Sequence, residues 1–267
     1  MARTGTMLIT GGTRGIGAAI ARRMLRRGWR VFVTSRTDAA PPEGAERLPL
    51  EITDDASVAA CVAEAQARAG AIDVLVNNSG YDLYAPFETM PAAAFDDQMA
   101  VNFTGAVRMT QAVLPGMRAR RAGRIVQIAS LGGLQGLPFN TAYAASKFAM
   151  LGFSQALRLE LLPLGLWVSA VIPGTVATDT LDRSIRDIGP AEGPYAVRFQ
   201  RMVAQMRRAG AASPTRPDDV ARVVERASTV PAPRFAYFVG RQAWLLGRLK
   251  ALTPEALFER ALRGRFG

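Results

Sequence analysis

Thr10-Gly11-Gly12-Thr13-Arg14-Gly15-Ile16-Gly17 is the stretch that decides the fold of this chain. A short apolar run, Met7 to Thr10, precedes the glycines and reads as a strand. After them Ile16, Ile20, Met24 and Leu25 recur at helical spacing from Gly15 to Arg27, and Gly28 stops that helix. Glycines between a strand and a helix let the backbone turn tightly and approach a pyrophosphate closely. The helix end supplies unpaired N–H groups and the positive end of its dipole. A glycine-rich turn alone is weak evidence; a strand before it and a helix after it are the context a nucleotide site needs.

Outward from this junction, strands and helices alternate almost to the end of the chain. Strands are expected over Arg30 to Thr34, Arg47 to Leu50, Ala71 to Val76, Arg124 to Ala129, Leu166 to Ile172 and Arg234 to Val239. Helices are expected over Ala56 to Ala69 behind a Thr53 or Asp54 cap, over Thr141 to Leu162, and over Pro217 to Ala227. Ala92 to Arg121 reads as mostly helical, with Pro115-Gly116 interrupting or ending part of it. Several strands are continuous apolar runs, as both-sided burial requires. The fold class is therefore α/β: one Rossmann-like domain over residues 1–267, with about seven strands in a doubly wound parallel sheet and right-handed crossovers.

Two stretches depart from the alternation. Residues 178–208 carry Gly189-Pro190 and Gly193-Pro194 between short helical pieces and read as a substrate lid after the sixth strand. Residues 242–267 form a helical tail, in which Thr253 and Pro254 read as the start of a last helix with Leu257, Phe258, Ala261 and Leu262 on one side. That helix is expected to pack on the domain or on a second copy of the chain, in preference to a membrane surface.

Composition removes several classes of chemistry. The chain has 267 residues, 49% hydrophobic and 21% charged, as folded globular chains do. It contains no histidine, which rules out a Ser-His-Asp triad, a histidine-ligated zinc and a histidine base. The single cysteine, Cys61, excludes a disulfide framework and a cysteine-rich metal site, and reads as a buried thiol rather than a nucleophile. No metal is expected. No apolar run approaches the roughly 18 residues that span a bilayer, and the N-terminus lacks a signal-peptide pattern, so a cytoplasmic location is expected. The net charge is +11, and all basic residues except Lys147 and Lys250 are arginine. The arginines come in scattered pairs, not in one stripe with aromatics, so solvated surface is favoured over a nucleic-acid site.

The second strand ends Thr34-Ser35-Arg36, with no acid placed to bind both ribose hydroxyls of NAD. Arg36 and the Ser35 hydroxyl suit a 2′-phosphate, and Arg14 adds a second charge, which points to NADP(H). Tyr143 and Lys147 lie four apart on an expected helix, on one face. A phenol is a poor acid–base group near neutrality, and a neighbouring ammonium favours its phenolate. Tyr143 is therefore the candidate general acid of a reduction and base of the reverse oxidation.

Taken in order, these motifs resemble the short-chain dehydrogenase/reductase family. The glycines at 11, 15 and 17 have its Gly-x-x-x-Gly-x-Gly spacing. Asn77-Asn78-Ser79-Gly80 stands where the family has Asn-Asn-Ala-Gly. Asn102 lies in Val101-Asn102-Phe103-Thr104-Gly105, Ser130 ends the fifth strand, and Tyr143-Ala144-Ala145-Ser146-Lys147 is its Tyr-x-x-Ser-Lys. Pro173-Gly174 follows the sixth strand, and Thr178 stands in the later threonine position. The resemblance covers residues 5 to 180 by motif and the remainder by element order. Glu51-Ile52 stands where the family usually has an aspartate near the adenine.

The resemblance implies a catalytic set of Asn102, Ser130, Tyr143 and Lys147. Ser130 orients the substrate carbonyl, Lys147 also holds the nicotinamide ribose, and Asn102 binds a water that links Lys147 to solvent. It implies a cofactor site of Gly11, Thr13, Arg14, Gly15, Ile16, Gly17, Ser35, Arg36, Glu51, Ile52, Asn78, Gly80, Tyr143, Lys147, Pro173, Gly174, Val176 and Thr178. Family members are usually homotetramers or homodimers. The substrate rim is read at Ser130, Gly132, Leu134, Leu137, Pro138, Phe139, Asn140 and Tyr143, with Tyr81, Leu83 and Tyr84 opposite. These are largely apolar, so the expected function is NADPH-dependent reduction of a hydrophobic ketone or aldehyde to an alcohol. Non-redox net chemistry on the same fold (epimerisation or dehydration) and a nucleotide-responsive binding protein are the alternatives.

Overall fold

The computed structural model describes residues 5–177, 185–190, 192–254, 256–257 and 259–260. Seven strands, β1 (Thr6–Ile9), β2 (Arg30–Ser35), β3 (Glu46–Pro49), β4 (Val74–Asn77), β6 (Gly123–Ile128), β7 (Leu166–Pro173) and β9 (Ala236–Val239), form one parallel sheet. Their order is β3-β2-β1-β4-β6-β7-β9. The chain winds outward from β1 in one direction to β3 and in the other to β9. Between the carboxyl ends of β1 and β4 lies the switch point where open α/β sheets bind ligands.

Helices α1 (Gly15–Arg26) and α7 (Pro217–Thr229) cover one face; α2 (Asp55–Ala69), α4 (Gly105–Ala119) and α5 (Thr141–Leu161) cover the other. Burial on both faces explains the unbroken apolar strands. Met7 and Ile9 of β1, Val31 and Val33 of β2, and Val74 and Val76 of β4 point to the first face. Leu8, Phe32 and Leu75 between them point to the second. Asp54 caps α2 by accepting from the Ser57 N–H at 2.6 Å. Cys61 is buried beneath that helix, and burial pushes its thiol up to about 11, so it is the inert thiol the sequence indicates.

The expected break at Pro115 is not there. α4 runs through Pro115 to Ala119, because buried Met109, Val113 and Met117 hold both sides of the proline to the core. The irregularity falls earlier, between α3 (Ala92–Met99) and α4, where Ala100–Thr104 forms a π turn. Gly105 follows it against Ile52, whose Cγ1 is only 2.6 Å from where a Cβ would stand. The wider turn directs Asn102 into the interior.

In the stretch after β7, the described residues form a strand and one long helix where short helical pieces are expected. Residues 178–184 and 191 lie outside the described residues. Beyond them, β8 (Ile185–Asp187) pairs in parallel with β5 (Asp82–Tyr84), and α6 (Ala196–Ala211) is one helix of 16 residues. Phe199 and Val203 of α6 pack on Tyr84 and Phe139. The tail begins as α8 (Arg241–Leu252); Thr253 closes it, and its extended backbone leads into helical residues at 256, 257, 259 and 260. Phe258, Ala261 and Leu262 lie outside the described residues.

Candidate active site

The glycine junction is built as its sequence demands. Gly11 and Gly15 have φ of 64° and 53°, the left-handed region that side chains disfavour. A Cβ at Gly17 would stand 2.4 Å from the Gly11 carbonyl oxygen and 2.7 Å from Asn78 Nδ2, so only glycine closes this turn. Asn78 ties the turn to β4: its Nδ2 donates to the carbonyls of Thr10 and Gly11, both at 3.0 Å. Thr10 Oγ1 accepts from the N–H groups of Asn78 and Ser79 at 2.9 and 3.0 Å. Thr13 is half-buried beside the turn, and the N-cap Arg14 leaves its side chain off the first turn of α1, which carries no acid. That helix end therefore suits an anion.

Arg14 and Arg36 are both exposed, and among the described residues neither is paired with a carboxylate. Ser35 Oγ accepts from the Thr37 N–H at 3.2 Å and shares a second hydrogen bond with the Thr37 hydroxyl at 3.4 Å. The Glu51 carboxylate is held locally: its Oε1 accepts from the Thr53 N–H and hydroxyl at 3.1 and 2.7 Å. Ile52 is buried in the core under α4, against Gly105. Gly80 stands against Asn102, whose Oδ1 would lie 3.0 Å from a Cβ there. Pro173 ends β7, the Gly174 N–H bonds the Val239 carbonyl at 3.1 Å, and Val176 is buried. Thr178 lies outside the described residues.

The catalytic candidates meet at the carboxyl end of β6 and the start of α5. Ser130 closes β6 with its Oγ accepting from the Gly132 N–H at 3.0 Å, and it is also in hydrogen-bonding reach of the Tyr143 phenol. Gly132 must be small here, since a Cβ would come 2.8 Å from Tyr143 Cε1. Lys147 is buried one turn on; its Nζ lies 5.7 Å from the Tyr143 ring centre and donates to the Ile128 carbonyl at 3.0 Å. Asn102 is fully engaged: Oδ1 accepts from the Tyr81 N–H at 3.0 Å, and Nδ2 donates to the Tyr81 carbonyl at 2.9 Å and to Ser146 Oγ at 3.3 Å.

The electrostatics differ from the sequence argument in one respect. Burial drives the Tyr143 phenol well above its usual range, with the Asp82 carboxylate next in effect and Ser130 opposing. Burial also brings Lys147 down to about 8, with Asp82 opposing. In the chain by itself burial, which helical spacing does not report, outweighs the pull of the Lys147 ammonium toward a phenolate, and Tyr143 holds its proton. That is the form a proton donor needs.

Of the substrate rim, Phe139 packs against α6, and Leu137 is half-buried before it. Phe139 has φ of 61°, and its ring meets Phe199 edge-on at 5.6 Å. Asn140 is buried and donates to the Leu83 carbonyl at 3.3 Å, which fixes β5 beside α5. Tyr81 is drawn the other way. Its hydroxyl donates to Asp97 at 2.5 Å, and the Arg186 guanidinium stacks 4.1 Å over its ring. Tyr84 is core to the Phe199 cluster and not rim. Sequence reading passed over Asp82, between Tyr81 and Leu83. Its carboxyl lies in reach of Tyr143 and Lys147, and its Oδ1 is buried with no partner among the described residues. The signal was available: an acid alternating with the apolar rim, two residues beyond Gly80.

Comparison with known proteins shows the family. The profile of the short chain dehydrogenase family matches residues 5–188. The chain therefore belongs to the short-chain dehydrogenase/reductase family, a family of oxidoreductases that bind a nicotinamide cofactor. It is 34% identical over 275 residues to 17-beta-hydroxysteroid dehydrogenase type 1 of Homo sapiens, covering 96% of this chain and 83% of that one. A short-chain dehydrogenase from Streptomyces avermitilis superposes with a TM-score of 0.83 at 30% identity, over 98% and 99% of the two chains. A variant of the actinorhodin polyketide ketoreductase with NADPH superposes with a TM-score of 0.74 at 32% identity, over 90% and 97%.

Proposed function

We propose that the protein is an NADP(H)-dependent carbonyl reductase, reversible as an alcohol dehydrogenase, that acts on a hydrophobic ketone or aldehyde. The observation that carries this reading is the convergence of Ser130, Tyr143 and Lys147 beyond the carboxyl end of β6. When bound, the nicotinamide supplies the hydride. Ser130 holds the carbonyl oxygen, and Tyr143 gives it a proton as charge develops there. Lys147 reaches the ribose side of the crevice as a cation whose charge is weakly held.

NADP(H) is preferred over NAD(H) because Arg14 and Arg36, exposed and without carboxylate partners, flank the crevice where a 2′-phosphate would lie, and no acid stands at the end of β2. The NADPH-bound ketoreductase relative supports the same assignment. Phe139 and the α6 side chains behind it favour an apolar substrate, as the steroid- and polyketide-named relatives do. Leu159 of α5 is 73% exposed, in keeping with pairing of copies through that helix. Among the described residues no helix is long and apolar enough to cross a membrane.

The test follows absorbance of the reduced nicotinamide with a panel of apolar ketones, NADPH and NADH side by side. NADPH oxidation is expected, with Tyr143→Phe lowering kcat/KM by about 10²–10⁴-fold and Arg36→Asp turning the preference toward NADH. Faster NADH turnover by the unaltered enzyme would overturn the cofactor assignment. No turnover of any carbonyl compound by protein that binds NADPH would overturn the reductase.

A further inference from the structure

Among the described residues Asp82 is the acid that acts on both Tyr143 and Lys147, and β5 puts it there. The strand's pairing with β8 fixes its register, Asp82 opposite Ile185, and the Asn140–Leu83 bond pins it against α5. Alternation along the strand then gives Asp82 and Tyr84 one side and Leu83 the other. A carboxyl with a buried, unpartnered Oδ1 is costly to keep charged, so its presence beside the proton donor needs a chemical account.

We propose that Asp82 is a positioning residue that controls the proton of Tyr143. When ionised, it accepts the Tyr143 O–H and turns that proton away from a substrate oxygen. When protonated, it donates its own proton to the Tyr143 oxygen as Tyr143 protonates the product. The inference rests on the reading of Tyr143 as proton donor. In the reduction one proton leaves the Asp82 carboxyl for the Tyr143 oxygen, and the Tyr143 proton passes to the substrate oxygen. The carbon receives the cofactor's hydride, and the Asp82 carboxylate recovers a proton from water. In the oxidation each proton moves in reverse, so the ionised carboxylate is the competent form.

The charges around Asp82 permit this. Tyr143 and Lys147 of α5 and Tyr84 of its own strand are the titratable groups that face it. The neighbours on β8 are spent elsewhere: Arg186 on Tyr81 and Asp97, and Asp187 on Arg207 at 2.7 Å. From the loop before α5, Asn140 reaches only a carbonyl of β5. Burial raises Asp82 to about 6, with Lys147 and the Tyr143 hydrogen bond opposing. The chain has no histidine to titrate in that range.

The test uses the full-length protein labelled at the tyrosine ζ carbons, with the Tyr143 resonance identified by its loss in Tyr143→Phe. Between pH 4.5 and 9 that resonance is expected to move in two steps, near 6 from Asp82 and near 8 from Lys147. Asp82→Asn should delete only the lower step, and Asp82→Glu should restore a carboxyl step. Absence of the lower step in the unaltered protein, or its survival in Asp82→Asn, overturns the proposal. Should Asp82→Asn not fold, Asp82→Ser serves the same comparison. Kinetics give the second reading: kcat/KM for reduction should fall up to tenfold from pH 5.5 to 7.5, and for oxidation rise, with both limbs flattened in Asp82→Asn. Equal limbs in variant and parent would overturn the proposal. A lower step in the spectrum of a protein that turns over no ketone upholds the Asp82–Tyr143 coupling and discards the reductase reading instead.

Discussion

At Gly17 a single methyl group separates an open crevice from a blocked one. The Cβ of an alanine would fall on the Gly11 carbonyl and the Asn78 amide, both fixed by β1 and β4. Backbone must move to admit it, and the backbone that moves is the part expected to meet the pyrophosphate. Gly17→Ala should therefore weaken NADPH binding at least tenfold, read by fluorescence titration, while secondary structure by circular dichroism stays intact. Unaltered binding would mean the phosphates do not lie on this turn. The residue scale is also where the sequence was most readable. Gly11, Gly15 and Gly17 carry shape information because only glycine fits those angles and distances. Ser130, Tyr143 and Lys147 carry chemistry at spacings a strand end and a helix face bring together. Glu51 was not legible in the same way, because its bond to Thr53 depends on a local turn. The protonation of Tyr143 was not legible either. A helical spacing gives the distance to Lys147 but not the burial, and the burial decides the sign.

At the scale of elements, long apolar strands and capped helices announced themselves, and the elements built from short or polar stretches did not. The sheet strands differ from expectation by a few residues at most. β5 and β8 are three residues each, Asp82–Tyr84 and Ile185–Asp187, and exist only because each is the other's partner. α6 begins close behind Gly193-Pro194 and carries four arginines, so its apolar side, Phe199, Met202 and Val203, is the main hint of packing. That packing is a small cluster set apart from the two main cores. Phe199→Ala removes its centre, where a core phenylalanine is typically worth about 3–5 kcal/mol. Because the cluster stands apart, the loss should appear as local opening. Limited proteolysis within residues 185–211 should accelerate and KM for the ketone should rise, with Tm falling by less than about 2 °C. A larger fall in Tm would show that α6 unfolds together with the sheet, and that it is a structural layer of the domain rather than a separable cover.

For the whole molecule, the two buried charges of the site set how stability varies with pH. Asp82 is raised from 3.8 to about 6, so the folded chain holds the proton more tightly and stability falls as pH rises through that window. Lys147 is lowered from 10.5 to about 8, so the unfolded chain holds its proton more tightly and stability rises as pH climbs through that window. Between 6 and 8 the domain therefore carries both costs at once, in the range where a reductase of this kind would work. Sites that hold charge away from water commonly trade stability for chemistry in this manner. Asp82→Asn keeps the shape and removes one cost. It should raise stability at pH 7.5 by on the order of 2 kcal/mol, or roughly 4–8 °C in Tm for a domain of this size. The gain should shrink toward zero at pH 4, where the carboxyl is protonated in the folded and much of the unfolded chain. Thermal melts of the parent and the variant at the two pH values measure the difference directly. A gain that is the same at both would trace to packing and not to charge. A loss at pH 7.5 would mean that the attraction between Asp82 and Lys147 outweighs the burial of both.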